Sequence, residues 1–181
     1  TPPQKHIIEE ILQCGGITGK VSLRPYWSGD ISYAPLGSSK RFVCVQSTQT
    51  FPSTPMGNKR WEESRLQVVV NQLVDGYEII QLGTSNEPRL EQTTDGRNLS
   101  ISESASMLAN ASFFVGQVGF LMHLARAVDT RSVIIYGGRE KAWQSGYPCN
   151  ANIESNLACS PCWQNNQCDH DRKCMSDITT N

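Results

Sequence analysis

The segment that most constrains the fold runs from Phe113 to Glu140. Its pattern predicts an apolar strand, a turn containing Gly116 and Gly119, an amphipathic helix, and a second apolar strand that ends at Gly137 and Gly138. A strand, a helix and a strand in this order form a parallel βαβ unit. Parallel sheets bind ligands at the carboxyl ends of their strands, and a helix N-terminus there favours an anion. The segment therefore predicts a ligand site that accepts phosphate.

The same alternation of strand and helix extends through the preceding part of the chain. Apolar runs predict strands at residues 41–46, 77–82, 112–115 and 132–136. Helical periodicity predicts helices at residues 4–14, 59–74, 103–110 and 119–128. Nearly continuous apolar strands separated by helices are typical of an α/β fold, in which helices cover both faces of a parallel sheet.

We therefore expect three regions along the chain. A helix and linker occupy residues 1–40, a Rossmann-like domain occupies residues 41–140, and a cysteine-rich tail that packs on this domain occupies residues 141–181. The linker is rich in Pro, Gly and Ser, and a long polar loop is expected between Ser47 and Asn58, after the first strand.

The charge balance argues against a nucleic-acid partner, and the hydrophobic pattern argues against a membrane span. The formal net charge is -1, with 16 basic and 17 acidic residues among 181, so no net basic field draws the chain to nucleic acid. The pattern contains neither a transmembrane span nor an apolar signal segment. We expect a cytoplasmic location.

Most of the seven cysteines crowd into the last part of the chain. A C-x-x-C pair followed by two further thiols can bind zinc or iron tetrahedrally, and His170 is a possible substitute ligand. Such a metal is structural, because four protein ligands leave no open position. The alternatives are two disulfides, with Cys149 either free or joining the set, or free thiols throughout. The candidate metal ligands are Cys159, Cys162, Cys168 and Cys174.

Three further features place polar or small groups at the expected carboxyl edge of the sheet. Lys59 begins a predicted helix, where its ammonium can pair with a phosphate. A neutral His123 can bond a phosphate or ribose, or act as a general acid. Gly83 ends a strand and permits close approach of a ligand. Each has a structural alternative: a solvated charge, a structural histidine and an ordinary turn.

The order of these motifs resembles the family-9 glycosyltransferases, which are the ADP-heptose:lipopolysaccharide heptosyltransferases and their relatives. The resemblance covers roughly residues 40–180, including the Cys-Ser-Pro-Cys-Trp and Cys-Met-x-x-Ile parts of the tail. Its most specific piece is the Met-His-Leu-Ala segment that follows a Val-Gly pair. The motifs that carry it are Lys59-Arg60-Trp61, Gln81-Leu82-Gly83, Val115-Gly116, Met122-His123-Leu124-Ala125 and Ile134-Ile135-Tyr136-Gly137-Gly138.

This resemblance implies a GT-B fold, of which the chain is the C-terminal, donor-binding half. The implied ligand is a nucleoside-diphosphate sugar, with an ADP-sugar favoured. Its diphosphate lies before the Met122-His123 helix and near Lys59, and its base and ribose lie near the loops after strands 41–46 and 78–82. Transfer requires no metal, because helix N-termini and cations stabilise the leaving diphosphate. The implied donor-site residues are Ser47, Lys59, Gln81, Gly83, Gly116, Gln117, Val118, Gly119, Phe120 and His123.

Two departures from the family pattern qualify this expectation. The family carries an acidic residue in a Val-Gly-x-Asp/Glu turn, and this chain has Val118 there, with Gln117 as a partial substitute. The family's N-terminal half, which supplies the acceptor site and the catalytic base, is absent from these residues. We therefore expect the chain alone to bind a donor without transferring its sugar, and a missing N-terminal domain or partner chain to complete it. The alternative is a non-catalytic binding or assembly module with a structural zinc or disulfide cap.

Overall fold

The structure is a computed structural model that describes residues 2–36, 40–47 and 56–180. Residues 37–39 of the expected linker and 48–55 of the expected loop lie outside the described residues, as do the two terminal residues. The strands are β1 (Phe42–Gln46), β2 (Glu78–Gly83), β3 (Thr94–Arg97), β4 (Phe114–Gln117), β5 (Ser132–Gly137) and β6 (Ala151–Glu154). The helices are α1 (Ile7–Cys14), α2 (Glu63–Leu73), α3 (Ile101–Asn110), α4 (Phe120–Ala127), α5 (Ala142–Ser145) and α6 (Lys173–Ser176).

The strands form one sheet in the order β3-β2-β1-β4-β5-β6, and every neighbouring pair is parallel. This is the Rossmann strand order, in which the direction of winding reverses between β1 and β4. The predicted α/β, Rossmann-like sheet is confirmed. Its topological switch point lies at the carboxyl ends of β1 and β4, which end at Gln46 and Gln117.

Two hydrophobic clusters cover the two faces of the sheet. On one face, α3 and α4 pack Met107 and Met122 into a cluster with Phe114. On the other face, α2 and the C-terminal tail pack against β1, β2 and β5, and Met175 and Ile178 are buried there. None of the helices in the described ranges is long and apolar enough to cross a membrane.

Two strands lie where the sequence predicts no regular structure. The connection 84–99 contains β3, and the tail 141–181 contains β6. Both are edge strands of four residues, and neither has the continuous apolar run of β1. An edge strand needs few apolar side chains because much of its surface stays in water. The sheet therefore extends into the cysteine-rich part of the chain.

The positions of two predicted site residues also differ from the sequence prediction. Gly116 lies inside β4 and not in the turn. The Phe114 ring folds over it and would overlap a Cβ, which explains why this strand position is a glycine. Lys59 ends a 3₁₀ turn (Gly57–Lys59) and does not begin the helix, which starts at Glu63. We call this segment the Lys59 turn.

Candidate functional site

The crevice at the switch point is organised by Gln117, the last residue of β4. The Gln117 side chain is 2% exposed. Its Oε1 accepts a hydrogen bond from the backbone N–H of Trp61 at 3.0 Å, and its Nε2 donates to the carbonyl of Ser47 at 3.4 Å. Gln117 thus ties the end of β4 to the segment after β1 and to the chain that follows the Lys59 turn.

A second polar group lines the crevice beside β2. The Gln81 amide donates to the Ser47 hydroxyl at 3.0 Å and to the Pro88 carbonyl at 2.7 Å, and it accepts from the Leu90 N–H at 2.8 Å. The Ser47 hydroxyl also donates to the Pro88 carbonyl, at 3.0 Å. Ser47 and Gln81, both predicted donor-site residues, are therefore in contact, and they fix the loop after β2.

A buried carboxyl group, that of Glu87, lies in this loop, and the sequence reasoning missed it. Glu87 is 4% exposed, and its Oε1 accepts from the Gln46 amide at 3.2 Å and from the Thr84 N–H at 3.3 Å. Within the described residues, Oε2 has no hydrogen-bond partner. Burial raises the pKa of Glu87 to about 7, although its hydrogen bonds and Arg97 oppose the shift. Gly83, at φ +132°, leaves the space that this carboxyl group fills.

Lys59 belongs to a buried charge cluster at the end of β5. Its Nζ lies 2.6 Å from Glu140 Oε1, and the two side chains are 15% and 4% exposed. Arg139 Nη1 reaches the same oxygen at 3.0 Å, while the Ser145 hydroxyl donates to Oε2 at 2.6 Å. Burial raises the pKa of Glu140, but Lys59, Ser145 and Arg139 together outweigh it and hold that pKa below its ordinary value. The two cations and one carboxylate leave a net charge of about +1.

His123 lies on α4 next to this cluster. Its Nδ1 is 2.6 Å from the Tyr147 hydroxyl, which fixes the plane of the ring. Burial lowers the pKa of His123, Glu140 opposes the shift, and His6 and Lys59 add to it. The lowered pKa favours the neutral imidazole.

The cysteine-rich tail encloses a separate cavity of about 440 Å³. All four candidate metal ligands line it, together with His170. Burial raises the pKa of Cys174, and the three neighbouring thiols raise it further. All seven cysteines lie in the described ranges and are free thiols. Across those ranges, no three His, Cys, Asp or Glu side chains are placed to hold a metal ion, so the zinc-or-iron assignment stays a prediction.

The family model for glycosyltransferase family 9 (heptosyltransferase) matches residues 38–172, which is most of the chain. The chain belongs to glycosyltransferase family 9. The match includes β1 to β6 and the Lys59 turn, and it ends within the cysteine-rich tail. No curated protein matches the chain significantly.

Solved family-9 structures share the fold of this chain. The iron-containing dodecameric glycosyltransferase TibC from enterotoxigenic E. coli H10407 is 21% identical, with a TM-score of 0.67 over 83% of this chain and 46% of TibC. TibC in complex with ADP-D-β-D-heptose is 22% identical, with a TM-score of 0.68 over 83% of this chain and 45% of TibC. The E. coli ADP-heptose lps heptosyltransferase II is 19% identical, with a TM-score of 0.56 over 67% of this chain and 40% of that enzyme. The chain spans less than half the length of these relatives.

The family-9 donor-site residues predicted from the sequence fall into two groups. One group lies at the carboxyl edge of the sheet, around the switch point. Its members are Ser47, Lys59, Gln81, Gln117, Gly119, Phe120 and His123. The second group serves packing: Val118 is buried in the core cluster, Gly116 accommodates Phe114, and Gly83 accommodates Glu87. Sequence reasoning missed Glu87 and Glu140, although Glu140 follows β5 at the predicted ligand edge.

Proposed function

We propose that this chain is the donor-binding half of a family-9 glycosyltransferase and binds a nucleoside-diphosphate sugar, favouring an ADP-sugar, at the switch point. The observation that carries the proposal is the buried cluster of net positive charge around Lys59, beside a neutral His123 and the first turn of α4. The family membership of the chain and the ADP-heptose complex of TibC support this ligand class.

Lys59 supplies the charge that a diphosphate needs. Its ammonium has three N–H donors, and the bond to Glu140 uses one of them. Lys59 can therefore bind a phosphate oxygen while it keeps its carboxylate partner. When the sugar leaves, negative charge grows on the diphosphate, and a fixed cation and a helix N-terminus stabilise it without rearrangement.

Glu87 supplies a hydrogen-bond acceptor on the other side of the crevice. Its Oε2 is buried at the carboxyl ends of β1 and β2, and it lacks a partner among the described residues. A carboxyl oxygen in that position can accept a hydrogen bond from a ribose hydroxyl. This assignment gives the ribose side of the site a carboxyl group that Val118 does not provide.

Transfer itself requires groups beyond this chain. The acceptor site and the catalytic base belong to the other half of the enzyme in this proposal, so the chain alone binds a donor without turnover. Most of the cysteines lie in one local cluster, unlike those of a secreted disulfide scaffold, and we propose a cytoplasmic location on that ground. The competing function is a non-catalytic binding or assembly module that has kept the fold.

Titration calorimetry with ADP and AMP tests the donor site. We expect ADP to bind with a dissociation constant between about 1 μM and 1 mM, and at least about tenfold more tightly than AMP. The reason is that only a diphosphate presents a second phosphate to Lys59. The Lys59→Met variant should bind ADP and AMP equally, whereas Lys20→Met, which removes an exposed lysine, should bind as the wild type does. Absence of ADP binding to the folded wild type would favour the non-catalytic module.

We also propose that the four clustered thiols hold a structural zinc or iron. Thiolates are the ligands that both metals prefer, the four cysteines share one cavity, and TibC is iron-containing. The thiols must converge from their present positions to bind the metal. It would cross-link the tail and leave no open coordination position.

Metal analysis of the purified chain tests this assignment. We expect about one zinc or iron per chain, and a melting temperature that falls when a chelator removes the metal. Cys162→Ser should lower the metal content, whereas Cys149→Ser, which changes a cysteine outside the set, should not. Metal-free protein in which all seven thiols react after denaturation would show that the tail folds without cross-links.

A further inference from the structure

The Lys59 turn is held in place by the cysteine-rich loop. The backbone N–H of Gly57 donates to Asn166 Oδ1 at 2.8 Å, and that of Asn58 donates to the Asn165 carbonyl at 2.9 Å. These bonds join residues that lie more than a hundred positions apart in the chain. A short turn between a loop and a helix thus takes its position from the tail.

Asn58 is the centre of this attachment. It is 3% exposed. Its Nδ2 donates to the carbonyls of Gln164 and Gln167 at 3.1 and 2.8 Å, and its Oδ1 accepts from Arg172 Nε at 3.1 Å. Both donors and the acceptor of the amide are therefore used. Such full satisfaction of a buried side chain fixes its position, because each lost bond leaves a desolvated polar group.

The same loop also holds the second cation of the charge cluster. Arg139 Nη2 donates to Asn165 Oδ1 at 3.0 Å, and its guanidinium lies 4.8 Å from the centre of the Trp163 ring. Arg139 and Lys59 then meet at one oxygen of Glu140. The loop thus sets the positions of both cations relative to one carboxylate.

We propose that Asn58 is a positioning residue that couples the cysteine-rich loop to the donor site, by holding Lys59 where it meets the donor's diphosphate. The proposal rests on the proposed donor-binding function. Asn58 also lines the cysteine cavity. Asn58 is thus one of the contacts through which a change in the state of those thiols would reach Lys59.

A double-mutant cycle separates positioning from a general structural role. We expect Asn58→Ala to weaken ADP binding about tenfold, in line with the loss of buried hydrogen bonds. Binding of AMP should be unchanged. In a Lys59→Met, Glu140→Gln background, which lacks both charges of the pair, Asn58→Ala should have no further effect on ADP binding. A residue that merely stabilises the fold would weaken ADP and AMP binding alike and would act in both backgrounds.

Two more variants keep the test decisive. Asn110→Ala is the control, because the Asn110 amide also donates to a loop carbonyl, that of Ile31 at 2.9 Å, but from an exposed position on α3. Its ADP affinity should equal that of the wild type. If Asn58→Ala does not fold, Asn166→Ala removes the side-chain acceptor of the Gly57 N–H and should weaken ADP binding about threefold.

The outcomes distinguish this inference from the function on which it rests. If the wild type fails to prefer ADP over AMP, the donor-site proposal is wrong. If the wild type prefers ADP and Lys59→Met abolishes the preference, the donor site is supported. In that case, wild-type ADP affinity in the folded Asn58 or Asn166 variants overturns the positioning role, as does an equal loss in the Lys59→Met, Glu140→Gln background.

Discussion

Replacing Lys59 by methionine lowers the free energy of unfolding by about 3 kcal/mol at neutral pH, the low end of the cost of breaking a buried ion pair. In the wild type, the Lys59 ammonium lies 2.6 Å from the Glu140 carboxylate, which is 4% exposed, and the variant removes that cation. Arg139 and Ser145 still bond that carboxylate, which is why we expect the low end. Chemical denaturation at pH 7 measures the change.

Glu140→Gln in the same chain provides the internal control. In the Glu140→Gln background Lys59 has no carboxylate to pair with and lies beside Arg139, so Lys59→Met should cost less than about 1 kcal/mol there. Lys20→Met, at an exposed lysine, should change stability by less than about 0.5 kcal/mol. If Lys59→Met is no more destabilising than Lys20→Met, the ion pair does not hold the Lys59 turn as described.

Replacing Glu87 by glutamine should stabilise the protein at pH 8 and remove the loss of stability that Glu87 causes between pH 4.5 and 7. Burial raises the pKa of Glu87 from 4.5 to about 7 in the folded state. Over that range the unfolded chain releases its proton while the folded chain keeps it, so the stability of the wild type falls as pH rises. The full shift corresponds to up to about 3 kcal/mol.

Denaturation curves at several pH values between 4.5 and 8 measure this effect. At pH 4.5 the wild type and Glu87→Gln should be similar, because both carry a neutral side chain there. At pH 8 the variant should be more stable by up to about 3 kcal/mol. Glu91→Gln, at an exposed carboxylate in the same loop, serves as the control and should follow the wild-type curve. The same pH dependence in the wild type and in Glu87→Gln would contradict the shifted pKa of Glu87.

The fold was predictable wherever buried elements carry an apolar sequence pattern. Strands β1, β2, β4 and β5 are buried on both faces and therefore contain apolar runs. The edge strands β3 and β6 remain partly in water and carry no such run, so they were missed. Gly116 was misplaced because a glycine suggests a turn, whereas here it makes room for the Phe114 ring.

The site was predictable only in part, and for a different reason. The order of motifs placed Lys59 and His123 at the carboxyl edge of the sheet. Their partners come from elsewhere in the chain: Glu140 from the end of β5, and the loop that holds Asn58 from the tail. Hydrophobic periodicity in the sequence does not reveal such contacts, because they depend on how the elements pack against one another. Glu87 was missed because a carboxylate beside a proline resembles an ordinary solvated loop residue.

The sixth strand determines where this polypeptide can be shortened. A chain cut after Glu140 would keep every motif of the family resemblance before the tail, yet it would lose β6 and uncover the edge of β5. An uncovered edge of a mostly apolar strand pairs readily with other chains and promotes aggregation. A shortened chain that keeps the whole sheet must therefore extend at least to Glu154, and Cys149 already lies within that length.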